Sequence, residues 1–190
     1  MKIETLVVGP IFTNCYIVSD GGAKCAVVDP GDEPSKIARR LEEEGLVCDG
    51  ILITHGHHDH IGGLAALAEA TGAPVYVGAG DLERLPECSA KTVSEGDKIS
   101  AGGLEFSVIE TPGHTPGGVC FLCEDALFSG DTLFCDSVGR TDLPGGDFSV
   151  LRRSLIKLRD LPESDLKVYP GHMEPTTLAH ERDYNPFIVR

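Results

Sequence analysis

Apolar and polar residues alternate over the first thirty positions. KIETLVV (2–8), CYIVSD (15–20) and CAVVDPG (25–31) change sides with a period of two, which predicts half-buried strands. Asp20-Gly21-Gly22 predicts the hairpin turn between the second and third. From Glu33 to Gly45 the period becomes helical: Ile37, Ala38 and Leu41 share one face, and Gly45 suits the C-terminal cap. GILITH (50–55) is a short apolar run that predicts a buried strand; IGGLAALAEATG (61–72) predicts a helix and PVYVG (74–78) another strand. From 91 to 135 short strands are predicted to dominate: KTVSEGDKIS, GLEFSVIETPG, GGVCFLCED and ALFSGD. FSVLRRSLIKLRDL (148–161) is amphipathic, with Val150, Leu151, Leu155, Leu158 and Leu161 near one stripe. LKVYPGH (166–172) predicts a last strand, and TTLAHERDY (176–184) a weak helix. Each β-rich half closes with helices. That order predicts an α/β (α+β) fold, two sheets face to face with helices outside, in one domain over 1–190.

Composition narrows the possibilities. A chain of 190 residues, 41% hydrophobic and 24% charged, can bury roughly 70% of its unfolded surface without staples. No apolar run is long enough to span a bilayer, and the start lacks the basic and apolar blocks of a signal peptide. The net charge is −14 with no basic stripe, so nucleic acid and anionic membranes are not expected partners. Seven cysteines, an odd number without an export signal, predict reduced thiols and a cytoplasmic protein. Cys120 and Cys123 sit three apart on a predicted strand, on opposite faces, so they are expected to pack rather than share a metal.

The candidate chemistry is in the histidines. Four of seven fall in THGHHDH (54–60), with Asp59 among them, directly after the apolar strand GILIT. His55, His57, Asp59 and His60 are nitrogen and oxygen donors suited to zinc, iron or manganese. Three more donors follow apolar strands at Gly- or Pro-flanked turns: His114 in ETPGHTPGG, Asp131 in FSGDTLF and His172 in VYPGH. Five histidines and two aspartates are too many for one tetrahedral ion, and two ions sharing a carboxylate account for them. His58 is expected to face away from the cluster and His180 to lie at the surface. Thr54 reads as a strand end; Phe12 and Tyr16, in GPIFTNCYIV, could line the mouth of the site, but read first as core positions.

THGHHDH, TPGHTPG, SGDTLF and YPGH, in that order and spacing, resemble the metallo-β-lactamase fold superfamily from about Ile3 onward. The resemblance implies a four-layer αββα sandwich. It places His55, His57 and His114 on metal one, Asp59, His60 and His172 on metal two, and Asp131 between them. GRTDLPGGD (139–147) and PTTLAHERDYNPF (175–187) are similar to glyoxalase II, the hydroxyacylglutathione hydrolases, and especially to their short bacterial relatives. The implied activity is thioester hydrolysis by a hydroxide bridging two divalent ions, zinc foremost, with iron or manganese also fitting. The substrate is a small-molecule thioester such as a glutathione conjugate, the enzyme a monomer or small homo-oligomer. Asp59 could also accept a proton. Arg140 is the candidate contact to the thiol carrier, or else the partner of Asp142 or Asp136 in an internal turn. The iron-dependent persulfide dioxygenases share the THxHxDH and GRTD motifs and give a second reading; a non-catalytic metal-binding protein gives a third. One class of β-lactamase has cysteine where this chain has Asp131, which argues against antibiotic hydrolysis. Two departures stand out: Met173 replaces the glycine usual after the YPGH histidine, and the C-terminal helical domain of full-length glyoxalase II has no counterpart before Arg190.

Overall fold

The computed structural model describes residues 1–162 and 165–188. The first sheet follows chain order: β1 (Lys2–Val8), β2 (Thr13–Ser19), β3 (Lys24–Val28), β4 (Val47–Ile53), β5 (Val75–Gly78) and β6 (Ala90–Val93). Its first three strands are antiparallel and its last three pairings parallel. The crossovers are α1 (Pro34–Glu43) and the broken helix α2 (His58–Ile61) and α3 (Leu64–Thr71), with a 3₁₀ turn at Ala79–Arg84. The second sheet contains β7 (Lys98–Ala101), β8 (Leu104–Glu110), β9 (Val119–Cys123), β10 (Ala126–Gly130), β13 (Lys167–Pro170) and β14 (Thr176–Thr177). Its spatial order is β14-β13-β10-β9-β8-β7. A small hairpin, β11 (Leu133–Phe134) and β12 (Ser137–Val138), and the helices α4 (Phe148–Arg159) and α5 (Leu178–Tyr184) complete it.

Strand alternation builds the layers. In β2, Cys15 and Ile17 face α1 and α3, whereas Tyr16 and Val18 face the second sheet. In β9, Phe121 and Cys123 face the first sheet while Cys120 packs beneath α4 with Leu151, Leu155 and Leu158. Three apolar cores therefore separate four layers, αββα, as the residue pattern and the resemblance imply. Cys120 and Cys123 lie on opposite faces, and the described cysteines are all free thiols. No helix among the described residues is long and apolar enough to cross a membrane.

Local expectations are corrected at four places. KTVSEGDKIS is not one strand: Ser94–Asp97 turns the chain from β6 in one sheet to β7 in the other, closed by the Ser94 N–H donating to the Asp97 carboxylate at 2.8 Å. The helix predicted at 61–72 breaks at Gly62 and Gly63, where side chains would strike the Gly31 and Pro30 carbonyls. Val150 is half-buried on α4, and Ser154, donating to the Pro112 carbonyl, takes the inner position. Phe12 is not core; it is 71% exposed in the β1–β2 turn, while Tyr16 is buried and donates to the Pro170 carbonyl at 2.6 Å.

Candidate metal centre

All seven predicted donors converge on the seam at one end of the two sheets. β4 ends at Ile53, the chain bends at Thr54, and from an extended His57 the single turn α2 brings Asp59 and His60 back to the same space. From the other sheet, His114 comes from the β8–β9 loop, Asp131 from the end of β10 and His172 from the end of β13. The halves are fastened there. The Val119 N–H donates to the Thr54 carbonyl at 2.8 Å, and the Asn14 N–H to the Gly171 carbonyl at 2.7 Å.

Two triads of donor atoms form. One is His55, His57 and His114, with His57 Nδ1 2.8 Å from His114 Nε2. The other is Asp59, His60 and His172, with Asp59 Oδ2 3.1 Å from His172 Nε2 and His60 Nε2 3.4 Å from it. Asp131 lies between: Oδ1 is 3.3 Å from His60 Nε2, and Oδ2 is 3.5 Å from His114 Nε2 and 3.6 Å from His172 Nε2. His58 stands out in solvent. His180 is at the surface, paired with Asp136 at 2.8 Å.

The outward nitrogens fix the tautomers. His60 Nδ1–H donates to Asp29 Oδ2 at 2.8 Å, and His114 Nδ1–H to the Arg140 carbonyl at 2.6 Å. Thr54 Oγ1 donates to Asp29 at 2.6 Å and so is left to accept from His55 Nδ1–H at 3.1 Å. His55, His60 and His114 thus turn Nε2 inward, and His57 turns Nδ1 inward. Lone pairs facing one another at such distances are unfavourable unless a cation or proton sits among them. Two inward atoms, His55 Nε2 and Asp131 Oδ1, are buried without a hydrogen-bond partner. The donor set therefore fits two divalent ions.

Electrostatics divide the imidazoles between the two triads. Burial and the neighbouring imidazoles push His55 well below its ordinary value and His57 down to about 4, so both offer neutral nitrogen. Burial would lower His60, but Asp131 and Asp29 hold it well above the usual range. Burial would raise Asp59, yet the His172 hydrogen bond and the His60 charge keep its carboxyl below the usual carboxylate range. Asp59 is thus held as a carboxylate, the form that would donate to a metal ion.

Sequence reading missed the supports. Asp29 accepts from the Thr54 N–H, the Thr54 hydroxyl and His60. Asp81, fully buried, accepts from the Gly56 N–H, the Thr115 hydroxyl and the Gly117 N–H, tying the His55–His57 segment to the His114 loop. Thr13 donates to Asp59 at 3.2 Å. Arg140 is not brought among the donors. Its guanidinium makes two 2.7 Å bonds to Asp142, the internal turn anticipated above, while its carbonyl holds His114.

Residues 8–172 match the family described as the metallo-beta-lactamase superfamily. The chain is 32% identical to the Haemophilus influenzae protein described as hydroxyacylglutathione hydrolase GloC, covering 99% of this chain and 98% of that one. A solved structure described as BLEG-1 B3 metallo-beta-lactamase superposes with a TM-score of 0.89 at 35% identity over the whole of both chains. Another, TTHA1623 in a di-iron-bound form, gives 0.87 at 38% identity, covering 97% of this chain and 99% of that one.

Proposed function

The chain belongs to the metallo-beta-lactamase superfamily, and on that premise we propose that it is a binuclear metal-dependent hydrolase of thioesters, of the glyoxalase II type. The observation that carries the reading is the position of Asp131, one carboxylate placed between two complete triads. Two divalent ions held there would supply Lewis acidity and lower the pKa of water toward about 7. The protein's own part is orientation. Asp29 and the Arg140 carbonyl hold two imidazoles in the donating tautomer, and Asp81 keeps the two loops at fixed separation. No serine or cysteine nucleophile is required. A thiol with a pKa near 8.5 leaves as thiolate without a strong general acid. Similarity to a hydroxyacylglutathione hydrolase supports a glutathione conjugate as substrate. Zinc is the first choice of ion, and the di-iron relative supports iron as the second.

The persulfide dioxygenase reading is supported by the THxHxDH and GRTD motifs, which that family shares. The two reactions consume different things. The test supplies S-lactoylglutathione and glutathione persulfide, in parallel, to zinc-loaded and iron-loaded protein, with a β-lactam as a third substrate. Thioester cleavage without oxygen, by protein holding about two ions per chain, is the expected result. Persulfide-dependent oxygen uptake without thioester turnover would reverse the assignment, and β-lactam cleavage alone would replace it.

A further inference from the structure

A second group of metal-type donors lies outside the centre, where the β11–β12 hairpin meets α5. Cys135 and Asp136 form the two-residue tip of that hairpin, between the paired Phe134 and Ser137. His180 and Glu181 sit near the start of α5. One ligand atom from each of the four lies within 4.8 Å of the others. Asp136 Oδ1 is 2.8 Å from His180 Nε2, Glu181 Oε1 is 4.0 Å from the same nitrogen, and Cys135 Sγ is 4.0 Å from Asp136 Oδ2. Cys135 is a free thiol, half-buried.

Glu181 anchors the group and shows what it lacks. It is fully buried. Its Oε2 accepts from the Asp136 N–H at 3.0 Å and the Asn185 amide at 2.7 Å, and its Oε1 from the Thr176 hydroxyl at 2.6 Å. These donors are all uncharged, whereas a carboxylate taken out of water calls for a positive partner. Among the described residues, the basic nitrogen within 4.0 Å of it is His180 Nε2. Oε1 accepts once and keeps acceptor capacity. The same bonds fix the hairpin tip, where Asp136 has left-handed backbone, φ 55°. Sulfur, imidazole and two carboxylates together are a donor set suited to a tetrahedral, borderline-soft ion.

We propose that Cys135, Asp136, His180 and Glu181 form a further metal site, for one divalent ion of the zinc type, that pins the β11–β12 hairpin to α5. Binding releases the Cys135 thiol proton to solvent. The ion replaces the proton between His180 and Asp136, and the imidazole keeps its proton on Nδ1. The hairpin begins two residues after Asp131, and the Phe134 ring stands 6.2 Å from that of His172, so the ion would steady one flank of the centre. His180 and Asp136 are partly exposed, so this site fills after the centre does. The inference is independent of the reaction catalysed.

The test exploits the sulfur. None of the seven donors of the centre is a cysteine, so thiolate-to-cobalt charge-transfer absorption in the near ultraviolet reports this site alone. Full-length chain is stripped with a chelator and titrated with cobalt(II). The absorption is expected to appear with the last ion bound, and zinc in excess should raise the melting temperature by a few degrees. Cys135→Ser should abolish the absorption and leave the ions of the centre and any turnover unchanged. His180→Gln should weaken the last ion by at least about 10-fold. Metal-free melting of both variants within about 2 °C of the wild type would show that a lost band is not a lost fold. If Cys135→Ser does not fold, wild-type alkylation decides: excess zinc should slow iodoacetamide at Cys135, and equal labelling with and without it overturns the site. No absorption in cobalt excess would overturn it as well, leaving His180 and Asp136 a surface pair. Absorption undiminished in Cys135→Ser would give the ion to another thiol.

Discussion

The two sheets furnish the centre in opposite ways. The first offers four donors from six consecutive residues, shaped by one strand end and one helical turn. The second offers three donors from positions 114, 131 and 172, each at the end of a different strand, so their separation is set by sheet register. The contiguous block takes its outline from local backbone and its precision from distant carboxylates. The scattered set needs the whole second sheet before it exists at all. Asp131 is where the two arrangements meet.

The largest expected effect is therefore at Asp131. Asp131→Asn removes charge from both triads, and kcat for a thioester should fall by roughly 10²-fold or more. Metal analysis should show fewer than two ions per chain. A variant that keeps both ions and full turnover would separate the two halves of the centre. Next comes Asp29→Ala, which attacks the block through its support. Metal affinity should fall by about 10- to 100-fold in a chelator competition, because His60 loses the acceptor that orients it. Melting should also drop by several degrees, since the Thr54 N–H and hydroxyl are left buried and unpaired. Unchanged metal affinity would mean that the block shapes itself unaided.

Smaller effects are expected at the edges. If the exposed guanidinium exchanges Asp142 for an anionic thiol carrier, Arg140→Ala should raise KM for that thioester by a few-fold while kcat changes less, because such a contact is nearly uniform between ground and transition states. A fall in kcat at constant KM would instead assign Arg140 to the turn that holds His114. His58→Ala should change activity less than about twofold, because His58 stands in solvent. A loss matching that of Asp131→Asn would show that the wrong member of the block had been set aside.

How much of this could be read in advance follows the same division. THGHHDH is legible because four donors in six residues after an apolar strand have few other uses. His114, Asp131 and His172 are legible only as a repeated layout of strand, tight turn and donor. Asp29 and Asp81 are not legible: DPGD and AGD look like ordinary turns, and the groups that donate hydrogen bonds to their carboxylates lie at least 25 positions away. Strand order supplies the missing signal, since the parallel pairing of Val28 with Leu52 sets Asp29 beside Thr54. The layers follow from period two in the strands. The reversal at Ser94–Asp97 escapes that pattern because residues on either side alternate alike, although they join different sheets.

The first sheet lists its strands in the order the chain is made, and this has a consequence during synthesis. At about 5–20 residues per second, β1 to β6 emerge several seconds before β10 and β13. Pairing can begin at once, but the face bearing Tyr16, Val18, Val28 and Leu52 finds its cover only when Phe106, Phe121 and Phe128 arrive. In that interval the nascent chain presents an apolar wall and four of the seven candidate donors. Ribosome-bound chains with the first 95 residues clear of the exit tunnel should accordingly recruit a chaperone that chains with the first 180 residues clear do not.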